Sequence, residues 1–64
     1  MGKYFTDEMA NEAKERIAES EILIKRANEL KEIYPELNSY LDNVILRLKE
    51  YVFLQKAMMS LAGY

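Results

Sequence analysis

Glu8, Glu12, Glu15 and Glu19 follow one another at spacings of four, three and four, which gathers four carboxylates on one side of a helix. Carboxylates spaced in this way first suggest a metal centre. Di-metal sites in helical bundles, however, combine Glu with a Glu-x-x-His pair, and this chain has no His. It has no Cys either, so thiolate ligands and disulfides are absent and no metal or cofactor is expected. The acidic ridge is better suited to docking on a basic partner surface, where complementary charge steers encounter and sets register, or to plain solvation. Glu12 with Arg16 and Glu21 with Lys25 are placed for the i to i+4 pairs that solvated helices carry. Ile22 lies amid Glu15, Glu19 and Arg26: either an apolar anchor inside a charged rim, or an isolated exposed side chain like Ile33.

Nucleophilic catalysis has little to stand on. Ser20, Ser39 and Ser60 have no His or Cys beside them and no glycine-rich phosphate loop is present, so the chain is not expected to be an enzyme. Nucleic-acid binding is disfavoured by the net charge of -2 and a pI near 5.1. Lys25, Arg26 and Lys31 are interleaved with Glu21, Glu29 and Glu32, so the basic residues make no stripe. Tyr4, Tyr34, Tyr40, Tyr51 and Tyr64 fall near helix ends and the turn, where a ring can be buried while its hydroxyl stays wet. Without a positive groove they do not make a base-stacking platform.

The elements that must position these residues are helical. From Asp7 to Ile33 there is no Gly or Pro, and Ala, Glu, Lys, Leu and Ile dominate. Thr6 is placed to cap that helix, and Asp7 and Glu8 set negative charge at its positive end. Pro35 disfavours a helical Tyr34 and ends the helix there. Pro35 then opens the next helix, or Asn38 or Ser39 caps it with Asp42 completing a capping pair; a kinked continuous helix is the third arrangement. Gly63 supplies a left-handed residue at the end, with Tyr64 folding back on Met59. The expected helices span about 6–34 and about 36–62, joined by a turn at about 34–38, in a single domain over 1–64.

The first helix carries a stripe of Met9, Ala13, Ile17, Ser20, Ile24, Ala27, Leu30 and Tyr34, widened by Leu23. Ala10, Ala13 and Ser20 would admit a close neighbour opposite the bulky Phe53, Met58 and Met59 of an antiparallel second helix. The second helix has Leu37, Leu41, Val44, Ile45, Leu48, Tyr51, Val52, Met58, Met59 and Ala62 along one stripe. Leu46, Phe53, Leu54, Ala57 and Leu61 fall on its other side, so one neighbour cannot cover it.

A chain of 64 residues with no disulfide or metal to staple it gains most from oligomerising. The expected fold is therefore all-α: an antiparallel two-helix hairpin that self-associates into a dimeric four-helix bundle. Leu46, Val52, Phe53, Leu54, Ala57, Met58, Met59 and Leu61 are the expected self-association residues. Glu8, Glu12, Glu15, Glu19, Ile22 and Arg26 are the expected partner-binding face. The corresponding function is that of a small regulator or inhibitor bound to a larger protein. Met1 to Thr6 lack the apolar core of a signal peptide, and Gln55 and Lys56 interrupt the longest apolar run, so a cytoplasmic protein outside the membrane is expected. In helix arrangement alone, with no shared residue motif, the expected dimer resembles the RNA-binding hairpin dimers of the Rop type. Nucleic-acid binding on that pattern is the alternative, and a structural subunit folding within a larger assembly is a third reading.

Overall fold

The computed structural model describes residues 5–64 as two helices packed against each other with no strand. Helix α1 spans Asp7–Ile33, a 3-10 turn covers Pro35–Leu37, and helix α2 spans Asn38–Leu61. The hairpin measures 47 × 15 × 11 Å, one layer of two long rods. None of the helices is long and apolar enough to cross a membrane among the described residues.

Thr6 begins α1 as expected. Its backbone is extended, and its hydroxyl accepts from the Met9 N–H at 3.1 Å, satisfying one of the donors that a helix start leaves open. Tyr34 leaves helical geometry (φ -124°, ψ 75°) because Pro35 follows it, while its N–H still donates to the Leu30 carbonyl at 2.7 Å. The break is a turn and not a kink. Neither Asn38 nor Ser39 caps α2: the 3-10 turn runs straight into it, and the Asn38 N–H donates to the Pro35 carbonyl. The expected capping role of Asp42 lapses for the same reason, and its carboxylate pairs with Lys31 across the corner. At the far end Gly63 adopts φ +88°. Its N–H donates to the Ser60 carbonyl and that of Tyr64 to the Met59 carbonyl, the doubled closure of a Schellman motif.

Lys31 opposite Asp42, Glu21 opposite Lys56 and Asp7 opposite Tyr64 fix the antiparallel register. On that register two lines of residues, each stepping by alternating threes and fours, face one another. In α1 the line is Ala10, Ala13, Ile17, Ser20, Ile24, Ala27 and Lys31. In α2 it is Leu41, Ile45, Leu48, Val52, Gln55, Met59 and Ala62. Ala13 falls opposite Met59, Ser20 opposite Val52 and Ala27 opposite Ile45, so small residues of α1 receive large ones of α2. Ala27, Leu41 and Ile45 form a buried cluster with Ile24 packed on it, and Ser20 is buried with only 6% exposed.

This seam corrects the expected stripes. Met9, Leu30 and Tyr34 are exposed, because a strict 3.5-residue repeat extended from Ala13 and Ala27 reaches Ala10 and Lys31, one position further along. Of the bulky residues expected opposite the small ones, only Met59 is buried there. Phe53 and Met58 point away, Phe53 with 70% of its surface exposed, and Val52 takes the place opposite Ser20. The rings of Tyr34, Tyr40 and Tyr64 are exposed as well, and only Tyr51 is half-buried; Tyr4 lies outside the described residues.

Candidate interaction surface

The seam divides the hairpin into two unlike flanks. In an antiparallel helix pair, positions just before the seam residues of both helices share one flank, and positions just after them share the other. The second flank holds Asp7, Glu21, Asp42, Lys49 and Lys56, and all three polar links between the helices run along it. Lys31 pairs with Asp42 near the turn, and Glu21 meets Lys56 at 3.8 Å in the middle. At the open end the Tyr64 hydroxyl donates to the Asp7 carboxylate, while its ring lies 5.8 Å from that of Phe5. Accepting that hydrogen bond, Asp7 holds the Tyr64 phenol above its ordinary value, with partial desolvation and the carboxylate charge adding to the effect. Glu21 reaches across to Lys56, and neither Glu12–Arg16 nor Glu21–Lys25 closes as an ion pair among the described residues.

The first flank is apolar. Met9, Leu23 and Leu30 of α1 stand there beside Leu37 of the 3-10 turn and Val44, Tyr51 and Met58 of α2, half-buried or exposed, interrupted by Arg16. On α2 this line is widened by Tyr40, Arg47, Leu54 and Leu61, so residues 37, 40, 44, 47, 51, 54, 58 and 61 form a second heptad seam beside the first. Leu61, with 89% of its surface exposed, is the most open large apolar side chain of the hairpin. Among the described residues, fourteen large apolar side chains are exposed against seven buried apolar ones, three of them alanines. A lone hairpin therefore leaves most of its apolar mass in water.

The residues expected to drive self-association separate into three groups on this geometry. Val52 and Met59 are occupied inside the hairpin seam. Leu54, Met58 and Leu61 lie on or next to the apolar flank, and all are exposed. Leu46 and Phe53 stand on a third side, where Phe53 and Leu54 line a shallow depression with Lys49 and Glu50; Ala57 is half-buried behind them. What sequence reasoning missed is the set Met9, Leu23, Leu30, Leu37, Tyr40, Val44 and Tyr51 as parts of one outward face. The signal was present in the three-and-four spacing of Leu37, Tyr40 and Val44 and in the seven-residue steps from Leu23 to Leu30 and from Val44 to Tyr51.

Glu8, Glu12, Glu15 and Glu19 are all exposed on the outer side of α1, with Arg16 among them. No group of three or more acidic side chains among the described residues is arranged to hold a metal ion. Ile22, half-exposed, lines a second shallow depression with Glu19, Leu23 and Arg26 at the margin of the apolar flank. Of the neighbours expected around Ile22, Glu19 and Arg26 share this depression, whereas Glu15 lines a separate one with Glu12, Arg16 and Glu19. No protein-family model matches the chain, and neither the curated proteins nor the solved structures contain a match to it.

Proposed function

We propose that this chain is a non-enzymatic interaction module: hairpins associate in pairs as a four-helix bundle, and the pair acts as a small regulator or inhibitor on the surface of a larger protein. The supporting observation is the contrast between flanks. One is closed by polar links within the chain, and the other is an apolar face that water alone covers in a single hairpin. Exposed apolar faces of this extent on small proteins mark association surfaces. Pairing also adds the buried area that a 64-residue core lacks on its own. The outer side of α1, with Glu8 and Glu15, is the surface such a pair offers to a larger partner with basic character.

Sedimentation equilibrium tests the first half of the reading. A mass twice the 7.5 kDa of the chain is expected, and a folded monomer at high micromolar concentration would refute it. Affinity capture with the wild type beside Glu8→Lys and Glu15→Lys tests the second half. Both variants should keep the wild-type mass and lose the captured partner.

A further inference from the structure

Resting on the pairing proposed above, we infer that the occupant of the apolar flank is a second copy of this chain, docked α2 on α2 and α1 on α1 about a twofold axis perpendicular to the helices at the level of Lys49. The first support is the angle between the two seams of α2. They are offset by one residue, about 100° around the helix. A corner helix of a square bundle sees its two neighbours about a right angle apart, so one seam suits α1 and the other a helix of another chain.

The second support is self-complementarity. Run antiparallel against itself with Lys49 at the centre, the outer seam of α2 brings Leu37 onto Leu61 of the second copy and Val44 onto Leu54. Its one charged residue, Arg47, meets the ring of Tyr51 in the second copy, once on each side of the axis. That contact puts the guanidinium against an aromatic face and not against bare hydrocarbon.

The third support comes from α1 independently. Glu21 and Ile24 line one depression with Lys49 and Val52, so Lys49 is level with the stretch around Leu23. There Glu19 and Arg26 bracket Ile22 and Leu23 along one shallow depression, acid at one end and base at the other, with no ion pair inside the hairpin among the described residues. An axis at this level lays each Glu19 on the Arg26 of the other copy. Both helices thus have their centre of self-complementarity at the same height. The competing dimer, with α2 on α1 of the second copy, would separate Glu19 from Arg26 and set both against the outer seam of α2, which holds no acid, a costly burial.

Spin labels at Lys49→Cys and, separately, Ser60→Cys read the axis directly. The inferred dimer puts the two labels at position 49 at the same height along the helices, separated only by the width of the bundle. At position 60 it adds about 33 Å of axial separation, from a rise of about 1.5 Å per residue. Equal distances at both positions would overturn the perpendicular axis while leaving dimerisation intact, whereas loss of any inter-chain distance, with a monomeric mass, would overturn the pairing itself. Charge exchange gives a second measure. Glu19→Arg should raise the dimer dissociation constant about tenfold, and Glu19→Arg with Arg26→Glu should return it to within about threefold of wild type, since opposite charges again face each other. Two equally weakened variants would count against the α1-on-α1 contact.

Discussion

The two flanks of the hairpin lie on either side of the same seam, yet one is sealed by the chain itself and the other is left open. Lys31–Asp42, Glu21–Lys56 and Asp7–Tyr64 are spread from the turn to the open end, and together they pin the register of α1 on α2. Exposed ion pairs add little stability, about 0 to 1 kcal/mol each. Their value is in specificity, because a slip of one heptad would break all three at once. Apolar contacts are the reverse: strong in sum and indifferent to partner. A helix with two adjacent apolar seams therefore needs polar marks on one side to say which seam belongs to the intramolecular neighbour. The flank that lacks those marks is the one free to face outward.

The largest break in this arrangement is in the seam that both flanks share. Ile45→Ala, beside Ala27 and Leu41, should lower hairpin stability by about 2 to 5 kcal/mol, a large part of what so small a core supplies, as read by chemical denaturation. Next comes a pair of neighbouring substitutions on α2 that sharpens the difference between its outward sides. Leu54→Glu, on the outer seam, should raise the dimer dissociation constant at least about a hundredfold, in line with burying a charge without a partner. Phe53→Glu, one residue away on the third side and more exposed than Leu54, should change it by less than about threefold. Equal effects at the two positions would erase the distinction between the apolar flank and the rest of the surface.

The smallest effect lies at the open end of the charged flank. Hydrogen bonding to Asp7 raises the Tyr64 phenol above 10.0, so the folded chain holds that proton more tightly than the unfolded chain does. The link is fully present below pH 10 and is lost as pH rises through the raised value. Alkaline titration followed by phenolate absorbance should show a late-ionising tyrosine in the wild type, and Tyr64→Phe should remove it.

Much of this architecture was legible in the residues. Thr6, Pro35 and Gly63 punctuate the chain where the helices begin, break and close, because each acts through local backbone chemistry. The choice between Met9 and Ala10, or between Met58 and Met59, was not legible. Adjacent positions on α2 are both apolar, and only the register against α1 decides which of them turns inward. The same ambiguity hid the open face: Leu37, Val44 and Tyr51 look like core until the small residues of α1 are seen to accept Leu41, Ile45 and Val52. Ile22, Glu19 and Arg26 were legible as a cluster, since they sit on two successive turns of one helix.

The corner at Pro35 also sets very different loop lengths for the contacts at the two ends of the hairpin. Lys31 and Asp42 are separated by 11 residues of chain, whereas Asp7 and Tyr64 are separated by 57. Closing the short loop costs less entropy, and once it is closed each further layer brings its partner with little additional search. Chain entropy therefore favours closure from the corner outward, with the contacts of Phe5, Asp7 and Tyr64 at the far end of that order. On that order, changes at the open end should show in the unfolding rate and changes beside the corner in the folding rate, as read by stopped-flow mixing.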